Sequence, residues 1–406
     1  MNTAEIFDEA QDIIVRPLDA VRDSGPFIFE YWNPRLIYML NYLRIVMELS
    51  IVIDDNSIDG APLTQANDTE LSICNSFAHS LFNEIICELC SVPISDHSRH
   101  YGTKAFILQN FSLSRNIKLN NLNTEYWIHD DITDETTVNS KCTGFVERGK
   151  IVRRSKIIQV VFTPLLDFSA LQQHLAPGHN LRLKFERSRD SFPLLCTNDN
   201  LRPKVRIHNI YSTIRCAIPT SRYLGQLQQK MSSKGVPYLL TRNVIRNYVM
   251  GQGVTNVSVA NIFRGNLPRA LYIYFLNNEQ VNGSYKHNPH IFKHYSIREA
   301  SVIMNGVQYP SAPIKIDHKK GFVMEAYRKM LDNIGLPNDD QSCDVNAFAY
   351  SSSSFILAFD LSSTGDNGYV REKPRQGTLS FNGILDEPLP HSVTLICHAI
   401  FEDTVS

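Results

Sequence analysis

Alternation of apolar and polar residues is the feature that most limits how this chain of 406 residues can fold. In segment 43–53 every odd position is apolar, while Arg44, Glu48 and Ser50 stand between them. Successive side chains of a β-strand point to opposite faces, so this spacing predicts a strand with one buried face. Further strands are predicted at segments 27–32, 105–114, 156–166, 181–187, 204–218, 269–276, 355–362, 377–385 and 392–402. The chain is therefore predicted to be mainly β.

Three segments have apolar residues at helical spacing instead. In segment 68–82 the shared face comprises Leu71, Cys74, Ala78, Leu81 and Phe82. Segments 221–231 and 322–334 repeat this spacing, and Gly335 is a suitable C-cap for the second of them. A two-residue hairpin turn is predicted at Asn305-Gly306, because both residues tolerate the positive φ of a type I′ turn.

The predicted strands fall into two groups on either side of the breaker-rich stretch 197–203. A turn followed by a strong strand closes each half, at 175–185 and at 387–398, as two copies of one fold would show. Two β domains with long loops fit sandwiches better than barrels or propellers. The predicted fold is a double jelly roll, which consists of two tandem jelly-roll β-sandwiches with a few short loop helices. Its predicted parts are an N-terminal arm at 1–25, a first jelly roll at 26–200 and a second at 201–406.

Composition and charge favour an ordinary soluble globular protein. Hydrophobic residues make up 43% of the chain, charged residues 20%, and the formal net charge is −1. No sequence-specific nucleic-acid partner is therefore predicted. The eight cysteines are scattered, which predicts free thiols in a reducing compartment. Cys87-x-x-Cys90 lacks the second pair that a zinc site needs.

The first residues do not resemble a secretory signal. Glu5, Asp8, Glu9 and Asp12 lie where a signal peptide requires basic and then apolar residues. No run of eighteen apolar residues occurs along the chain, so no membrane span is predicted. No secretion through a signal peptide is therefore expected.

The polar stretch NNEQVNGSYKHNPHIFKHYS, residues 277–296, contains His287, His290 and His294. Clustered histidines could form a cupin-like metal site on a jelly roll. Cupin ligands lie on rigid strands, however, whereas Pro289 and the neighbouring Asn and Gly residues indicate a loop. The stretch is therefore interpreted as a shaped connection between two strands, with metal binding as the alternative.

Three other motifs are interpreted as structural. GQG at 251–253 begins like a dinucleotide fingerprint, but Asn256 replaces the third glycine and a strand follows. WIHDD at 127–131 is interpreted as part of a solvated loop, and RGKIVRRSK at 148–156 as a solvated edge or subunit contact. The G-x-S-x-G turn of hydrolases is missing from the sequence. No catalytic, cofactor-binding or metal-binding residue is predicted, and no cofactor.

Several segments resemble, in order, the double jelly-roll major capsid proteins of Polinton (Maverick) elements and adinto-like viruses. In the second half these are LPRALYIYFLNNEQVNGSYKHNPHIFKHYSIREASVIMNGVQYPSAPI, FVMEAYRKMLDNIG, FILAFDLS and LPHSVTLICHAIFED. In the first half they are NSFAHSLFNEI and LAPGHNLRLKFERSRDSFPLL. The resemblance runs from about residue 27 to the C-terminus and is densest after Pro177.

The resemblance implies a structural protein that catalyses no reaction. Three chains would form a pseudo-hexagonal capsomer of an icosahedral shell, encoded by an active element or by a remnant in a host genome. The implied partners are other copies of the chain, neighbouring capsomers and a penton or minor capsid protein. The implied location is a virion capsid or the inside of the host cell. Tyrosines that suit the subunit interfaces are Tyr272, Tyr274, Tyr295 and Tyr309, with ordinary core or strand positions as the alternative.

Two other functions stay open at this point. Jelly rolls also serve as carbohydrate- or protein-binding modules that do not catalyse reactions. A cupin-like metalloprotein would use His287, His290 and His294 as metal ligands.

Overall fold

The computed structural model describes residues 6–57, 59–95, 98–131, 137–138, 140–167, 174–334, 343–363 and 375–405. The β-strands of these residues are β1 Phe7–Val15, β2 Phe27–Tyr31, β3 Ile37–Ile53, β4 Ala61–Pro62, β5 Leu71–Ile73, β6 Phe82–Leu89, β7 Val92–Pro93, β8 Ile158–Phe162, β9 His174–Leu175, β10 Leu181–Arg187, β11 Leu194–Cys196, β12 Pro203–Pro219, β13 Tyr238–Met250, β14 Asn256–Asn266, β15 Ala270–Asn277, β16 Ile297–Met304, β17 Val307–Lys315, β18 Leu357–Asp360, β19 Gln376–Leu385 and β20 Val393–Val405.

Helices lie between the strands. The α-helices are α1 Phe77–Ser80, α2 Tyr101–Ser112, α3 Arg115–Asn120, α4 Thr143–Ile151, α5 Ser221–Lys234, α6 Asn278–Asn282, α7 Met324–Ile334 and α8 Ala347–Ser352. Short 3₁₀ turns lie at Gln65–Asn67, Asn121–Glu125 and Arg153–Ser155. Within the described residues, no helix is both long enough and apolar enough to cross a membrane.

Strand pairing reveals two copies of one topology. In the C-terminal unit one sheet has the order β13-β20-β15-β18 and the other β14-β19-β16-β17. In the N-terminal unit the equivalent sheets are β1-β12-β3-β8 and β2-β10-β6-β7, with β4 and β9 also paired to β3. When the eight common strands of each unit are counted in chain order, both units have the orders 1-8-3-6 and 2-7-4-5. Each unit is a jelly roll, so the predicted fold class is confirmed.

The alternation that predicted the strands corresponds to burial in the sandwich cores. Leu43, Ile45, Met47, Leu49 and Ile51 of β3 are each at most 1% exposed. They belong to a core of the first jelly roll, and a separate core fills the second. The apolar face of each strand therefore packs inside its own sandwich, as the period of two requires.

Several local predictions are confirmed. The hairpin turn lies at Asn305-Gly306, where Met304 pairs with Val307 and both turn residues have positive φ. The helix predicted at 221–231 is α5, and the one predicted at 322–334 is α7, which begins two residues later. The proposed C-cap Gly335 lies outside the described residues.

Two elements predicted from periodicity are wrong. Segment 68–82 is not one helix, because Leu71–Ile73 pairs with β11 as a strand and Ser76 adopts a left-handed conformation before the short α1. Segment 105–114 is not a strand but lies in and just after α2. Apolar residues do not recur at helical spacing in α2, because the helix is buried on several sides. Ala105 lies in the first core, whereas Phe106 lies in the second.

Strand pairing also places the division of the chain differently from the predicted boundaries. Residues 7–15, predicted as part of an arm, form β1 and pair with β12. The boundary predicted at 200/201 precedes β12, whose ladder partners are β1 and β3 of the first jelly roll. The breaker-rich stretch 197–203 is therefore the turn from β11 to β12. The α5 helix connects β12, the last strand of the first jelly roll, to β13, the first strand of the second. No shift in composition marks this connection in the sequence.

Candidate functional site

The histidine stretch 277–296 is the connection from β15 to β16, and its first part is held in shape by its own side chains. The Asn277 side chain accepts a hydrogen bond from the Glu279 amide and so caps α6. The buried Gln280 side chain donates to the carbonyls of Asn288, at 2.6 Å, and Ile291, at 3.2 Å. The stretch is thus an ordered loop rather than a flexible linker.

This loop of the second jelly roll binds directly to the first. The Cys196 amide donates to the Tyr285 carbonyl at 2.7 Å, and the Val138 amide donates to the Lys286 carbonyl at 2.7 Å. The Tyr285 hydroxyl donates to the Pro203 carbonyl at 2.9 Å. We call residues 283–292 the docking loop, because these bonds join it to the neighbouring sandwich.

His290 is the buried centre of the docking loop. Its ring stacks on Phe106 of α2 with a centroid separation of 4.2 Å and an angle of 3° between the planes. Its Nε2 lies 2.9 Å from the Ser80 hydroxyl. Burial, with smaller contributions from the neighbouring Arg148 and His79, lowers the pKa of His290 to about 3. His290 is therefore neutral at physiological pH and acts as a packing and hydrogen-bonding residue.

The other two histidines of the stretch lie in different surroundings. His287 Nε2 is 2.8 Å from a carboxylate oxygen of Glu279. His294 stacks on His318 with centroids 3.6 Å apart, and its Nδ1 accepts from the Ser296 amide. In the part of the chain that the structure describes, no group of three His, Cys, Asp or Glu side chains could hold a metal ion.

The geometry of the docking loop predicts a specific effect of adding a methyl group at Gly283. This residue has φ of +86°, and an added Cβ would lie 2.9 Å from Ser191 Oγ and 3.2 Å from the Phe192 nitrogen. We expect Gly283→Ala to lower the free energy of unfolding by about 1–2 kcal/mol through the left-handed backbone, and by about 1–3 kcal/mol more through the steric contact. Equilibrium denaturation in urea measures the sum.

Gly178→Ala is the matched control for this prediction. Gly178 has φ of +82°, yet its added Cβ would have no atom within 4 Å. The control therefore carries the backbone cost without the steric cost. Equal losses in the two variants would show that the docking loop does not pack tightly against the first jelly roll.

A second contact between the jelly rolls is built from charged and polar side chains. Asp167 of the first unit accepts from Lys104 Nζ at 2.7 Å and from Asn243 Nδ2 at 3.0 Å. Asn243 Oδ1 in turn lies 3.0 Å from His398 Nε2. Burial, with a smaller contribution from the Lys104 charge, lowers the pKa of His398 to about 3. These four side chains couple the first unit to β13 and β20.

The two motifs interpreted as solvated segments meet in a buried network. Arg148, 1% exposed, donates to the carbonyls of Ile73 at 2.8 Å and Ile128 at 2.9 Å, and to the Asp130 carboxylate at 2.7 Å. The interpretation of a solvated edge is therefore wrong for Arg148, although Arg154 of the same stretch is exposed. A guanidinium provides donors on several sides, which explains how one side chain can tie three segments together.

Asp131, in the second of these motifs, caps α4. Its carboxylate accepts from the Thr143 amide at 2.8 Å and from the Thr143 hydroxyl at 2.5 Å. These hydrogen bonds lower the pKa of Asp131 to about 2. The two aspartates of WIHDD thus have structural partners.

A third network of buried polar residues was not predicted from the sequence. His79 Nδ1 lies 2.8 Å from the Tyr101 hydroxyl, and its Nε2 lies 3.3 Å from the Glu125 carboxylate. Gln109 donates to the same carboxylate at 3.1 Å. A Tyr-His-Glu chain resembles a proton relay, but all of these side chains are buried and they join α1, α2 and the turn at Asn121–Glu125. No spacing motif connects residues from such separate segments.

The remaining candidates have simple positions. Gly251 to Gly253 form the turn after β13, where Gly253 has φ of +84°. None of the eight cysteines, all of which lie in the described part of the chain, forms a disulfide, and Cys87 is buried whereas Cys90 is exposed.

The expectation of exposed interface tyrosines is wrong for Tyr272 and Tyr274, which are buried. Tyr295 is half-buried and Tyr309 is exposed. The reason lies in the position of β15, which is covered on both faces. The Tyr272 hydroxyl donates to the Asn333 carbonyl of α7, and the Tyr274 ring packs against Phe292.

Comparisons with known proteins show the same architecture over nearly the whole chain. A protein of Caenorhabditis elegans, described as uncharacterized, is 22% identical over 401 residues, which cover 97% of this chain and 94% of that protein. No family model matches the sequence.

Solved structures of viral proteins align at low sequence identity. A chain from the structure of the Sputnik virophage aligns with a TM-score of 0.62 and 10% identity, over 98% of this chain and 86% of that one. The major capsid protein of Faustovirus aligns with a TM-score of 0.54 and 10% identity, over 98% and 90% of the two chains. The mavirus major capsid protein aligns with a TM-score of 0.51 and 8% identity, over 97% and 87%. This chain therefore has the fold of viral major capsid proteins.

Proposed function

We propose that this chain is a structural protein, the major capsid protein of an icosahedral shell, and that it catalyses no reaction. The observation that carries the proposal is the alignment of 97–98% of the chain with viral major capsid proteins. The shell of a virion is then its location.

The duplicated topology supports a trimeric capsomer. One chain carries two jelly rolls of equal strand order, joined by the docking loop and by the contact of Asp167 with Asn243. Three such chains around a threefold axis place six similar sandwiches in a ring, which gives a pseudo-hexagonal tile. Neighbouring tiles and a penton or minor capsid protein are the further partners.

Exposed apolar side chains are consistent with subunit contacts. Val307 at the start of β17 is 70% exposed, and Phe348 of α8 is 77% exposed. Apolar and aromatic side chains of this kind are enriched in the buried centres of protein interfaces. We expect neighbouring subunits to cover them.

The sequence segments support an origin in a Polinton-type element. The ordered segments of the second half resemble the capsid proteins of those elements, and a relative of similar length occurs in a nematode. A nematode protein that aligns over 94% of its length with this chain is consistent with an integrated element or its remnant. Neighbouring genes for a packaging ATPase and a maturation protease would test this origin.

Size-exclusion chromatography with light scattering tests the oligomer. The expected mass at micromolar concentration is three times the 46.2-kDa mass of the chain. Electron microscopy of the same sample should show particles with a hexagonal outline. A stable monomer at micromolar concentration contradicts the proposal.

A further inference from the structure

Lys118 is a fully buried lysine whose amine lies against an asparagine side chain. The amine donates to Asn110 Oδ1 at 2.8 Å and to the Asn110 backbone carbonyl at 2.7 Å. Lysine is almost never fully buried unless a charged group accompanies it. That group is Asp344, whose Oδ2 lies 3.9 Å from the amine. We call Asn110, Lys118 and Asp344 the Lys-Asn-Asp cluster.

The fold brings the three residues together from three elements. Asn110 lies in the last turn of α2, and Lys118 lies on α3, which begins three residues after α2 ends. Asp344 comes from the second jelly roll, shortly before α8. The cluster is therefore complete only when the two jelly rolls are docked, and no sequence spacing connects Asp344 to the other two residues.

Capping of α2 explains only part of this geometry. Lysine side chains near the C-terminus of a helix commonly donate to its last carbonyls, as Lys118 does to the Asn110 carbonyl. Such side chains ordinarily keep the charged head in water. The head of Lys118 is instead buried and also contacts an amide and a carboxylate, which is the arrangement of a nucleophile, an electrophile and a base.

The surroundings of Lys118 favour the reactive form of its amine. Burial lowers the pKa of Lys118 to about 8, although the neighbouring Asp344 and Cys343 oppose the shift. The buried Trp127 ring also lies near, with its centroid 5.7 Å from the amine. A larger fraction of the side chain is therefore neutral near physiological pH, and the neutral amine is the nucleophile.

The Asn110 amide carbon lies close enough for attack. A carbonyl bond is about 1.2 Å long, so Cγ can be at most about 4 Å from the amine that contacts Oδ1. Reacting atoms in near-attack geometry are about 3–3.5 Å apart. A movement of about 1 Å or less thus brings the two groups into reacting distance.

We propose that Lys118 and Asn110 form an intramolecular isopeptide bond, with Asp344 as the acid–base group. Asp344 accepts a proton from the Lys118 ammonium, and the neutral amine attacks Cγ of Asn110. The Nζ–Cγ bond forms and the Cγ–Nδ2 bond breaks. Asp344 passes its proton to Nδ2 and accepts a second one from Nζ. Nδ2 leaves as ammonia and takes up that proton to become ammonium, so Asp344 is regenerated and no oxidant or other reactant is consumed.

The bond would lock a helix that both sandwiches share. It joins the last turn of α2 to α3, and α2 contributes side chains to both cores. Because Asp344 belongs to the second jelly roll, the bond forms only after the two units have docked. The cluster is separate from the docking loop, and its chemistry does not depend on the capsid function proposed above.

Mass spectrometry of the purified full chain, incubated at neutral pH, tests the proposal. We expect an intact mass lower than that of the sequence by one ammonia. Trypsin does not cleave after an acylated lysine, so residues 105–115 should be joined to residues 116–141 in one branched peptide. Tandem fragmentation of this peptide should locate the link between Asn110 and Lys118.

Two variants separate the chemistry from the packing. Lys118→Arg keeps a positive charge and hydrogen-bond donors but has no nucleophilic amine, so it should give no branched peptide. Asp344→Asn should reduce the linked fraction at least about tenfold, because general acid–base catalysis contributes about 10²–10⁴-fold. The matched control is Lys150→Arg on α4, where Lys150 is exposed and pairs with Glu147, and it should be linked as fully as the wild type.

Three outcomes overturn the proposal. The first is an unlinked peptide 105–115 in a wild-type chain whose urea midpoint and circular dichroism show that it is folded. The second is loss of ammonia from Asn282, Asn305 or Asn382, each of which precedes a glycine, while Asn110 is intact. The third is a branched peptide in folded Asp344→Asn at the wild-type yield, which would remove the acid–base group from the reaction.

Discussion

Replacing Arg148 with methionine is expected to lower the free energy of unfolding by about 3–5 kcal/mol. Methionine preserves much of the side-chain volume, so the lost stability comes from the polar groups that no longer have Arg148 as a hydrogen-bond donor. The Asp130 carboxylate and the carbonyls of Ile73 and Ile128 lose the Arg148 guanidinium. The Asn75 side-chain amide, 2.9 Å from Asp130 and from the Ile128 carbonyl, stays in place but carries no charge to balance the carboxylate. An unpaired buried charge costs more than the ion pair itself contributes. The urea midpoint, followed by circular dichroism, measures the effect.

Arg154→Met is the control from the same basic stretch. Arg154 is 63% exposed and lies 3.6 Å from Asp68, so its loss should change stability by no more than about 0.5 kcal/mol. The double variant Arg148→Met/Asp130→Asn should recover part of the loss, because it removes the uncompensated charge. Similar midpoints for Arg148→Met and Arg154→Met would show that the buried network does not stabilise the fold.

Acidification is expected to destabilise the protein, mainly through His290 and His398. Both have pKa values of about 3 in the folded chain, against an ordinary value of 6.5. Between these values the unfolded chain binds protons that the folded chain does not, so stability is full above pH 6.5 and falls as the pH decreases toward 3. Each histidine should contribute a slope of about 1.4 kcal/mol per pH unit well below pH 6.5.

Urea denaturation at intervals from pH 6.5 to pH 4.5 measures this slope before most carboxylates are protonated. In His290→Gln one proton fewer is taken up on unfolding, so the slope should decrease by about 1.4 kcal/mol per pH unit. The same decrease is expected for His398→Gln. His294, whose pKa burial and the His318 ring lower to about 4, adds to the wild-type slope. A wild-type slope near zero, or one that both variants retain, contradicts the assignment of acid sensitivity to these buried imidazoles.

The strands could be predicted because one face of each packs on a core within the same sandwich. The odd positions from Leu43 to Ile51 are buried, and segment 181–187 forms β10 with the predicted bounds. Asn305-Gly306 could be predicted for a different reason, since the backbone conformation of a type I′ turn selects these residue types directly. In both cases the structure follows from a local backbone preference or from a simple period of apolar residues.

Prediction failed where a segment packs against two partners or where distant segments meet. The α2 helix contributes to both sandwich cores, so its apolar residues surround it and its helical period disappears. Arg148 belongs to a basic run in the sequence, yet only the fold places two carbonyls and a carboxylate around it. The interpretation of the histidine stretch as a shaped connection did not identify what His290 contacts, because its partners Ser80 and Phe106 come from distant segments of the chain.

The sequence by itself determined the β class, nine of the twenty strands described here, two helices, the hairpin turn and the duplication, because these depend on periodicity and on backbone preference. Only the tertiary structure decided that β12 belongs to the first jelly roll and that the histidine stretch docks against it. The physical reason is that a hydrophobic period shows that a residue faces a core. It contains no information about which distant segment forms the opposite wall.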